Sequence, residues 1–244
     1  MYRHYFFPVF AILISISIRG QAVFVSSGTI TYERKINLHR QEVRWEGLKD
    51  IIAKQPVFNN ANFELSFSPG KTLYQPAEKF PEFEFGWLLG PAKENIVKTD
   101  FVTGRSQSTK DIFGDVFLIE DSVSNLQWRV SSEKREIAGF SCRKAVTRIA
   151  DSVYITAFYT DEIPVSGGPE SFHGLPGMIL GLAVPRLYTT WFATKVSLEP
   201  SKLPEPKFSA RQKKITYEDL SKQLVRLFER WEENAQKYIW WTYL

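Results

Sequence analysis

Short segments in which apolar and polar residues alternate dominate this sequence from residue 28 to residue 198. They are rich in β-branched and aromatic side chains, and no helical pattern separates them. Ten such segments cover residues 28–34, 63–67, 98–105, 115–121, 126–131, 134–140, 142–149, 153–160, 178–184 and 188–198. Closely spaced strands of this kind favour an antiparallel sheet that forms a barrel, a half-barrel or a sandwich. We expect a mainly β fold, a strongly curved antiparallel sheet (half-barrel or open barrel) with a C-terminal amphipathic helix.

Two segments have helical spacing. Residues 41–53 have a weak pattern, because Gly47 interrupts it. After a basic, proline-containing segment at 201–215, which we interpret as an extended linker, Thr216 and Asp219 resemble a capping box. Apolar residues then recur every three or four positions to about residue 237, as in an amphipathic helix. The aromatic tail at 238–244 either docks on the sheet or forms an exposed patch for a partner.

The first 22 residues resemble a signal peptide. A basic start precedes an uncharged apolar run at 8–18, which is too short to span a membrane, and Gly20 and Ala22 fit the −3 and −1 positions of a signal-peptidase site. An uncleaved anchor is the alternative. Cleavage would leave a β-rich domain at 23–200, followed by the helix and tail at 216–244. We expect this mature chain to have no transmembrane segment and to lie in the periplasm or outside the cell.

The charge balance gives no support for nucleic-acid binding. The whole chain has a formal charge of +4, but Arg3 and Arg19 belong to the leader, so the remainder has 29 basic and 27 acidic residues. No cluster of basic residues is interleaved with stacking aromatic side chains. The composition is otherwise that of an ordinary globular protein, with 43% hydrophobic residues and one cysteine, which excludes a disulfide framework.

A loop at 161–177 contains four glycines and three prolines and has no periodicity. Pro176 and Gly177 fit the two central positions of a type II turn that leads into a buried strand. A loop of this length in a compact domain is usually functional or disordered. The alternatives are a rigid cover over one end of the sheet and the rim of a binding cleft.

Residues 174–179 (GLPGMI) resemble the signature of the GLPGLI family of secreted bacterial envelope proteins, with Met178 in place of leucine. Two longer blocks, residues 128–145 and 157–180, are similar to that family as well, with Phe140 for tyrosine and Phe158 for tryptophan. The resemblance covers about residues 28–200. It implies an envelope location and a role linked to TonB-dependent outer-membrane transport, and it supplies no catalytic residues.

Candidates for catalysis and metal binding are few. Cys142 lies in an alternating segment and reads as a buried apolar residue, with a metal ligand, a reactive thiol or an intermolecular disulfide as alternatives. Apart from the leader, the histidines are His39 and His173, and no HxxH, CxxC or HExxH spacing occurs, so we expect no metal and no cofactor. A nucleophilic Ser166 or Ser171 beside His173 is a weak hydrolase hypothesis. Asp161 and Glu162 are neighbours in sequence and would point to opposite faces of a strand.

The aromatic residues favour binding over catalysis, although a plain aromatic core is the alternative. Trp45, Trp87, Trp128, Trp191, Phe158, Tyr159 and Phe172 could line a concave face. Our candidate residues for a ligand or partner are Gly168, Pro169, Phe172, His173, Gly174, Leu175, Pro176, Gly177, Trp128 and Phe158. We predict a non-enzymatic protein that binds an apolar ligand or an extended peptide and is accessory to outer-membrane transport or biogenesis. The alternatives are a structural subunit of an outer-membrane complex and a secreted hydrolase using His173.

Overall fold

The computed structural model describes residues 26–41, 46–80, 83–150, 152–199, 202–206, 208, 212–227 and 232–244, with the side chains of 232–235 left out. The predicted signal peptide at 1–22 and the aromatic candidate Trp45 lie outside the described residues.

Twelve strands form one sheet. They are β1 (Gly28–Asn37), β2 (Phe58–Ser68), β3 (Lys71–Pro76), β4 (Val97–Asp100), β5 (Arg105–Ile112), β6 (Asp115–Ser122), β7 (Arg129–Ile137), β8 (Phe140–Ile149), β9 (Val153–Thr160), β10 (Met178–Val184), β11 (Thr189–Ser197) and β12 (Lys213–Ile215). Their order is β12-β6-β5-β4-β3-β2-β1-β11-β10-β9-β8-β7, and every pairing is antiparallel except that of β12 with β6. The end strands β7 and β12 do not pair with each other in the described part of the chain. The prediction of an open, mainly antiparallel β fold with a C-terminal helix is confirmed.

The predicted strands differ from the observed ones mainly between β2 and β6 and at the edge strand β12. The segment predicted as one strand at 98–105 contains the end of β4, a turn at 101–104 and the first residue of β5. The turn forms because Asp100 Oδ1 accepts the N–H groups of Val102 and Thr103, both at 3.0 Å. Strands β3 and β5 were not predicted, because polar residues interrupt the alternation in both. Part of the predicted linker forms β12, which pairs with β6 at the edge of the sheet.

The helices are α1 (Glu46–Ala53), α2 (Tyr217–Leu227) and α3 (Glu232–Thr242). The predicted cap of α2 is formed, since Thr216 Oγ1 accepts the N–H of Asp219 at 3.2 Å and donates to its carboxylate at 2.9 Å. We predicted a helix to about residue 237; the chain is helical in α2 and α3, on either side of residues 228–231, which lie outside the described part, and α3 continues to Thr242. No helix in the described ranges is long and apolar enough to cross a bilayer.

The concave face of the sheet carries the main core. Alternation in β1 places Ile30, Tyr32, Arg34 and Ile36 on this face, opposite Phe63 and Leu65 of β2. A smaller apolar cluster joins Leu220 and Leu224 of α2 to Ile112 and Ile119. The tail docks rather than forming an exposed patch, because Trp241 and Leu244 are buried and the Trp241 ring packs edge-on to Trp191 at 6.5 Å.

Candidate functional site

The loop at 161–177 lies against the concave face. Six of its candidate residues are buried, namely Gly168, Pro169, Phe172, His173, Leu175 and Gly177, whereas Gly174 and Pro176 are exposed. Gly168 packs so closely that a Cβ there would lie 2.8 Å from the side chain of Ile179. The Tyr32 hydroxyl donates to the carbonyl of Ile179 at 2.6 Å, at the strand that follows the loop. The loop is therefore a packed cover on the sheet, and part of it also borders a cavity.

The turn at the end of the loop is not the predicted type II turn. The N–H of Gly177 donates to the carbonyl of Leu175 at 2.8 Å, which closes a three-residue turn centred on Pro176. The N–H of Met178, which a type II turn would use, donates instead to Ile163 at 3.1 Å. Gly177 has φ +152°, and a Cβ there would lie 2.0 Å from the carbonyl oxygen of Thr160. Packing against the end of β9 therefore requires this glycine.

The two remaining candidates lie in different places. Trp128 is half-buried beside the loop, where its indole N–H donates to the carbonyl of His173 at 2.8 Å. Phe158 points to the opposite face of the sheet, where the guanidinium of Arg135 lies 5.7 Å from its ring centre. The structure therefore brings Trp128 to the loop and leaves Phe158 away from it.

A cavity of about 350 Å³ lies between the loop, strands β4 to β6 and the last residues of the chain. Its wall includes apolar and aromatic side chains, several hydroxyl groups and one acidic residue, Asp121. The lining residues that define it are Thr99, Ser106, Ser108, Leu126, Ile149, Phe172, His173, Tyr217 and Tyr243. The Tyr217 hydroxyl is buried next to the side chains of Thr242 and Tyr243, which act on its pKa. The serine side chains of β5, Ser106 and Ser108, also line the cavity and are polar groups that a ligand could contact.

Most of the predicted aromatic surface is core. Trp191, Tyr159 and Phe172 are buried, and Trp87 is 50% exposed at the surface. Of these four, Phe172 lines the cavity.

The hydrogen bonds of His173 do not form a catalytic pair. Its Nδ1 lies 2.8 Å from the carbonyl oxygen of Ser171, and its Nε2 lies 2.8 Å from that of Ser124. A neutral imidazole donates from one nitrogen, so its other nitrogen still faces a carbonyl and not a hydroxyl. The hydroxyl of Ser166 accepts the N–H of Gly174 at 2.8 Å, and that of Ser171 donates to Tyr243 at 3.3 Å. These groups orient the loop.

The other chemical candidates also have structural contacts. Asp161 and Glu162 lie in the turn after β9 and not within a strand; Asp161 pairs with Arg143 at 2.9 Å, and Glu162 accepts the N–H of Ser141 at 3.4 Å. Cys142 is buried in β8, as interpreted from the sequence. Burial, with a smaller effect of Glu162, raises the pKa of its thiol to about 11, so the nucleophilic thiolate is disfavoured.

A buried cluster of charged and polar side chains, which was not predicted from the sequence, lies beside this cavity. Its members are Arg34, Tyr74, Asn95, Lys110 and Glu170, each no more than 3% exposed. The Glu170 carboxylate accepts a hydrogen bond from Asn95 Nδ2 at 2.6 Å and one from the Tyr74 hydroxyl at 3.3 Å. Glu170 is also one of the few residues other than glycine with a left-handed backbone, at φ +55°. Such a conformation costs about 1–2 kcal/mol, so the surrounding contacts must hold it.

Burial is the largest influence on the pKa values of the charged side chains in this cluster. It raises the pKa of Glu170, against the opposing attraction of Lys110 and Arg34. It lowers the pKa of Lys110 to about 8, with Glu170 acting in the opposite direction. It also lowers the pKa of Arg34. Each group is thus held in an environment that disfavours its charge.

Two of these residues had a signal in the sequence. Arg34 is in phase with Ile30, Tyr32 and Ile36 in β1, so alternation alone places it on the apolar face. Lys110 is likewise in phase with Ile112 in β5. Glu170 lies in the aperiodic loop and carries no such signal.

One comparison concerns the sequence family. Residues 146–181 match the model of a family described as a protein of unknown function (Porph_ging). This segment contains the whole block at 157–180, including the GLPGMI residues, and it extends from β8 into β10. No curated protein matches the chain.

The other comparison concerns solved structures. A structure of PNGF-II in space group P21 is similar to this chain with a TM-score of 0.53 and 16% sequence identity, over 80% of this chain and 33% of that chain. Its C2 crystal form gives a TM-score of 0.50 and 16% identity, over 80% of this chain and 32% of that chain. This chain therefore spans about a third of the PNGF-II chain. At this identity the likeness concerns the fold alone, and the sequence match concerns a family without an assigned function.

Proposed function

We propose that the chain is a non-enzymatic envelope protein that binds an apolar ligand in the cavity between the loop at 161–177 and strands β4 to β6. The observation that carries this proposal is the wall of that cavity, in which Leu126, Ile149 and Phe172 provide apolar surface and the serines of β5 provide hydroxyl groups. Ligand pockets combine such surface with a few polar groups that orient the ligand. The bonding of His173 to two carbonyl groups favours binding over hydrolysis.

An extended peptide is the weaker candidate ligand. The end strand β7 pairs on one side only with β8, and eight of its nine residues are exposed. A peptide could add to such an edge. However, five of these residues, Arg129, Glu133, Lys134, Arg135 and Glu136, are charged, and charged side chains on an edge strand oppose pairing with another strand.

The cellular role rests on the sequence resemblance. The blocks at 128–145 and 157–180 support membership of the GLPGLI family, and residues 1–22 support export to the periplasm. We place the protein there as an accessory to TonB-dependent transport or to outer-membrane biogenesis. A gene for an outer-membrane transporter beside this one would support that role, and the absence of any envelope gene nearby would count against it.

Filling the cavity tests the binding proposal. Ser108 lines it, whereas its neighbour Gln107 lies on the other face of β5 and donates to Glu120 at 2.8 Å. We expect the uncharged dye N-phenyl-1-naphthylamine to bind the wild-type protein and Gln107→Trp with equal affinity. Ser108→Trp should bind it at least about tenfold more weakly, since about 1.4 kcal/mol of apolar contact suffices for that factor.

Native mass spectrometry identifies the natural ligand class. Protein isolated from its own cell envelope should carry a small apolar adduct that Ser108→Trp lacks. An adduct with the mass of a peptide would favour the edge of β7 instead. Equal dye binding by all three proteins, together with adduct-free spectra, would refute the proposal.

A further inference from the structure

The buried charged cluster contains an arginine that is only partly satisfied. Arg34 is fully buried, and its Nη1 donates to the carbonyl of Ala92 at 3.0 Å. Its Nε and Nη2 have no hydrogen-bond partner among the described protein atoms. Since an arginine remains protonated in proteins, these N–H groups cannot be relieved by loss of a proton. Two buried, unsatisfied donors of a cation are costly unless something accepts from them.

The geometry of these donors is that of an anion-binding edge. Nε–H and Nη2–H lie on the same side of the planar guanidinium and point in nearly parallel directions, as in bidentate recognition of a carboxylate. The Phe63 and Phe80 rings orient the guanidinium, with centres 4.7 and 5.5 Å from its carbon. Trp191 is the cross-strand neighbour of Arg34, and its buried indole N–H lies near the Tyr74 hydroxyl, on whose pKa it acts.

The charge balance of the cluster is also positive. Arg34 and Lys110 are two buried cations against one buried carboxylate, that of Glu170, while the exposed Glu94 also acts on Arg34. Neither cation lies within ion-pair distance of Glu170, whose oxygens accept hydrogen bonds from Tyr74 and Asn95. The Nζ of Lys110 has no hydrogen-bond partner among the described protein atoms. Within the buried cluster, the positive charges therefore outnumber the negative ones by one.

We propose that the Nε–Nη2 edge of Arg34 binds a small monovalent anion, such as chloride or formate, and that Lys110 supplies the excess positive charge that favours it. The anion accepts hydrogen bonds from the two N–H groups of the guanidinium edge. Binding lowers the cost of burying the two cations and so couples the stability of the concave core to the anion concentration. The site does not require a ligand in the neighbouring cavity, so it stands independently of the proposed function.

Thermal unfolding in bromide tests the site. Bromide replaces sulfate at constant ionic strength, starting from halide-free protein. As the bromide concentration rises, the thermal unfolding midpoint of the wild-type protein should increase more than that of Arg34→Lys. The difference should saturate, and it should be about 3–6 °C at a bromide concentration ten times the dissociation constant. Lysine keeps the charge but lacks the paired N–H edge, and the comparison cancels the general effect of the salts.

A matched control and a second measurement separate this site from a nonspecific response. Lys98→Met removes a surface lysine that pairs with Glu205 at 2.8 Å, and it should keep the full bromide response. A crystal grown in bromide should show an anomalous peak in contact with Nε and Nη2 of Arg34, which decides the matter even if Arg34→Lys does not fold. A bromide response equal in all three proteins, or water at this edge in bromide crystals, would overturn the proposal. Bromide peaks confined to the surface would identify an adventitious ion only.

Discussion

Replacing Lys110 with methionine should remove a pH dependence of stability that this side chain contributes. Lys110 is 1% exposed on the concave face, and Glu170 is the charged group that acts on it. Desolvation lowers its pKa from the ordinary 10.5 to about 8 in the folded protein. Methionine has a similar length and no charge, so the variant keeps the packing and loses the titration.

The sign follows from the direction of this shift. Between pH 8 and pH 10.5 the folded protein has released the Lys110 proton and the unfolded chain still holds it. The unfolded state therefore binds more protons, and stability rises with pH across this window. The gain in stability is complete above the pKa that Lys110 has in the unfolded chain. It is lost as the pH falls through the pKa that Lys110 has in the folded protein. Linkage gives a gain of about 2 kcal/mol between pH 8 and pH 10 for this group alone.

Urea unfolding at several pH values between 8 and 10 measures this gain. The free energy of unfolding of the wild-type protein minus that of Lys110→Met should rise by about 2 kcal/mol across the range. Burial raises the pKa of Tyr32 and Tyr74, whose contributions change above pH 10, outside the window. Lys98→Met, the same change at a lysine that pairs with Glu205 at the surface, controls for the loss of a positive charge. A flat difference for Lys110→Met would refute the assignment of Lys110 as a buried, desolvated cation.

Two further substitutions test the packing around the site. Gly177→Ala should cost more than about 3 kcal/mol, because its Cβ would lie 2.0 Å from the Thr160 oxygen at φ +152°. Gly114→Ala, at φ +92° in open space, should cost only about 1–2 kcal/mol, and equal losses would contradict the close packing. Trp241→Ala should cost about 3–5 kcal/mol because its buried ring anchors the tail. Trp87→Ala, at a half-exposed ring, should cost under about 1 kcal/mol, and a similar loss for both tryptophans would show that the tail does not dock.

The alternating pattern predicted most of the sheet because it is a local property of each strand. The bounds of β9 and β10 agree with the prediction, and the cap at Thr216 formed as its spacing indicated. The same local argument failed at β5, where serine and lysine side chains occupy the inward positions. A polar residue is placed inward only when tertiary neighbours accept it, and those neighbours come from distant parts of the chain.

In the candidate site, too, local sequence predicted some features and tertiary contacts decided the others. The loop at 161–177 was recognised from its composition and its resemblance to a family, but the type of its final turn was wrong. Local preference favours a type II turn for Pro176-Gly177, whereas contacts with Ile163 and Thr160 select a tighter one. The roles expected of His173 also depended on partners that no spacing reveals, namely two backbone carbonyl groups from different segments.

The sequence by itself determined that this chain forms a curved, mainly antiparallel sheet, since a period of two decides which side chains face the core. The same period puts Arg34 on the inner face of β1, although its burial there was not predicted. Only the tertiary structure decided that Arg34, Lys110 and Glu170 meet there, because Glu170 is delivered from 136 residues further along than Arg34 by a loop without periodicity. The docking of the tail and the cavity beside it arise in the same way, from packing between segments distant in the sequence.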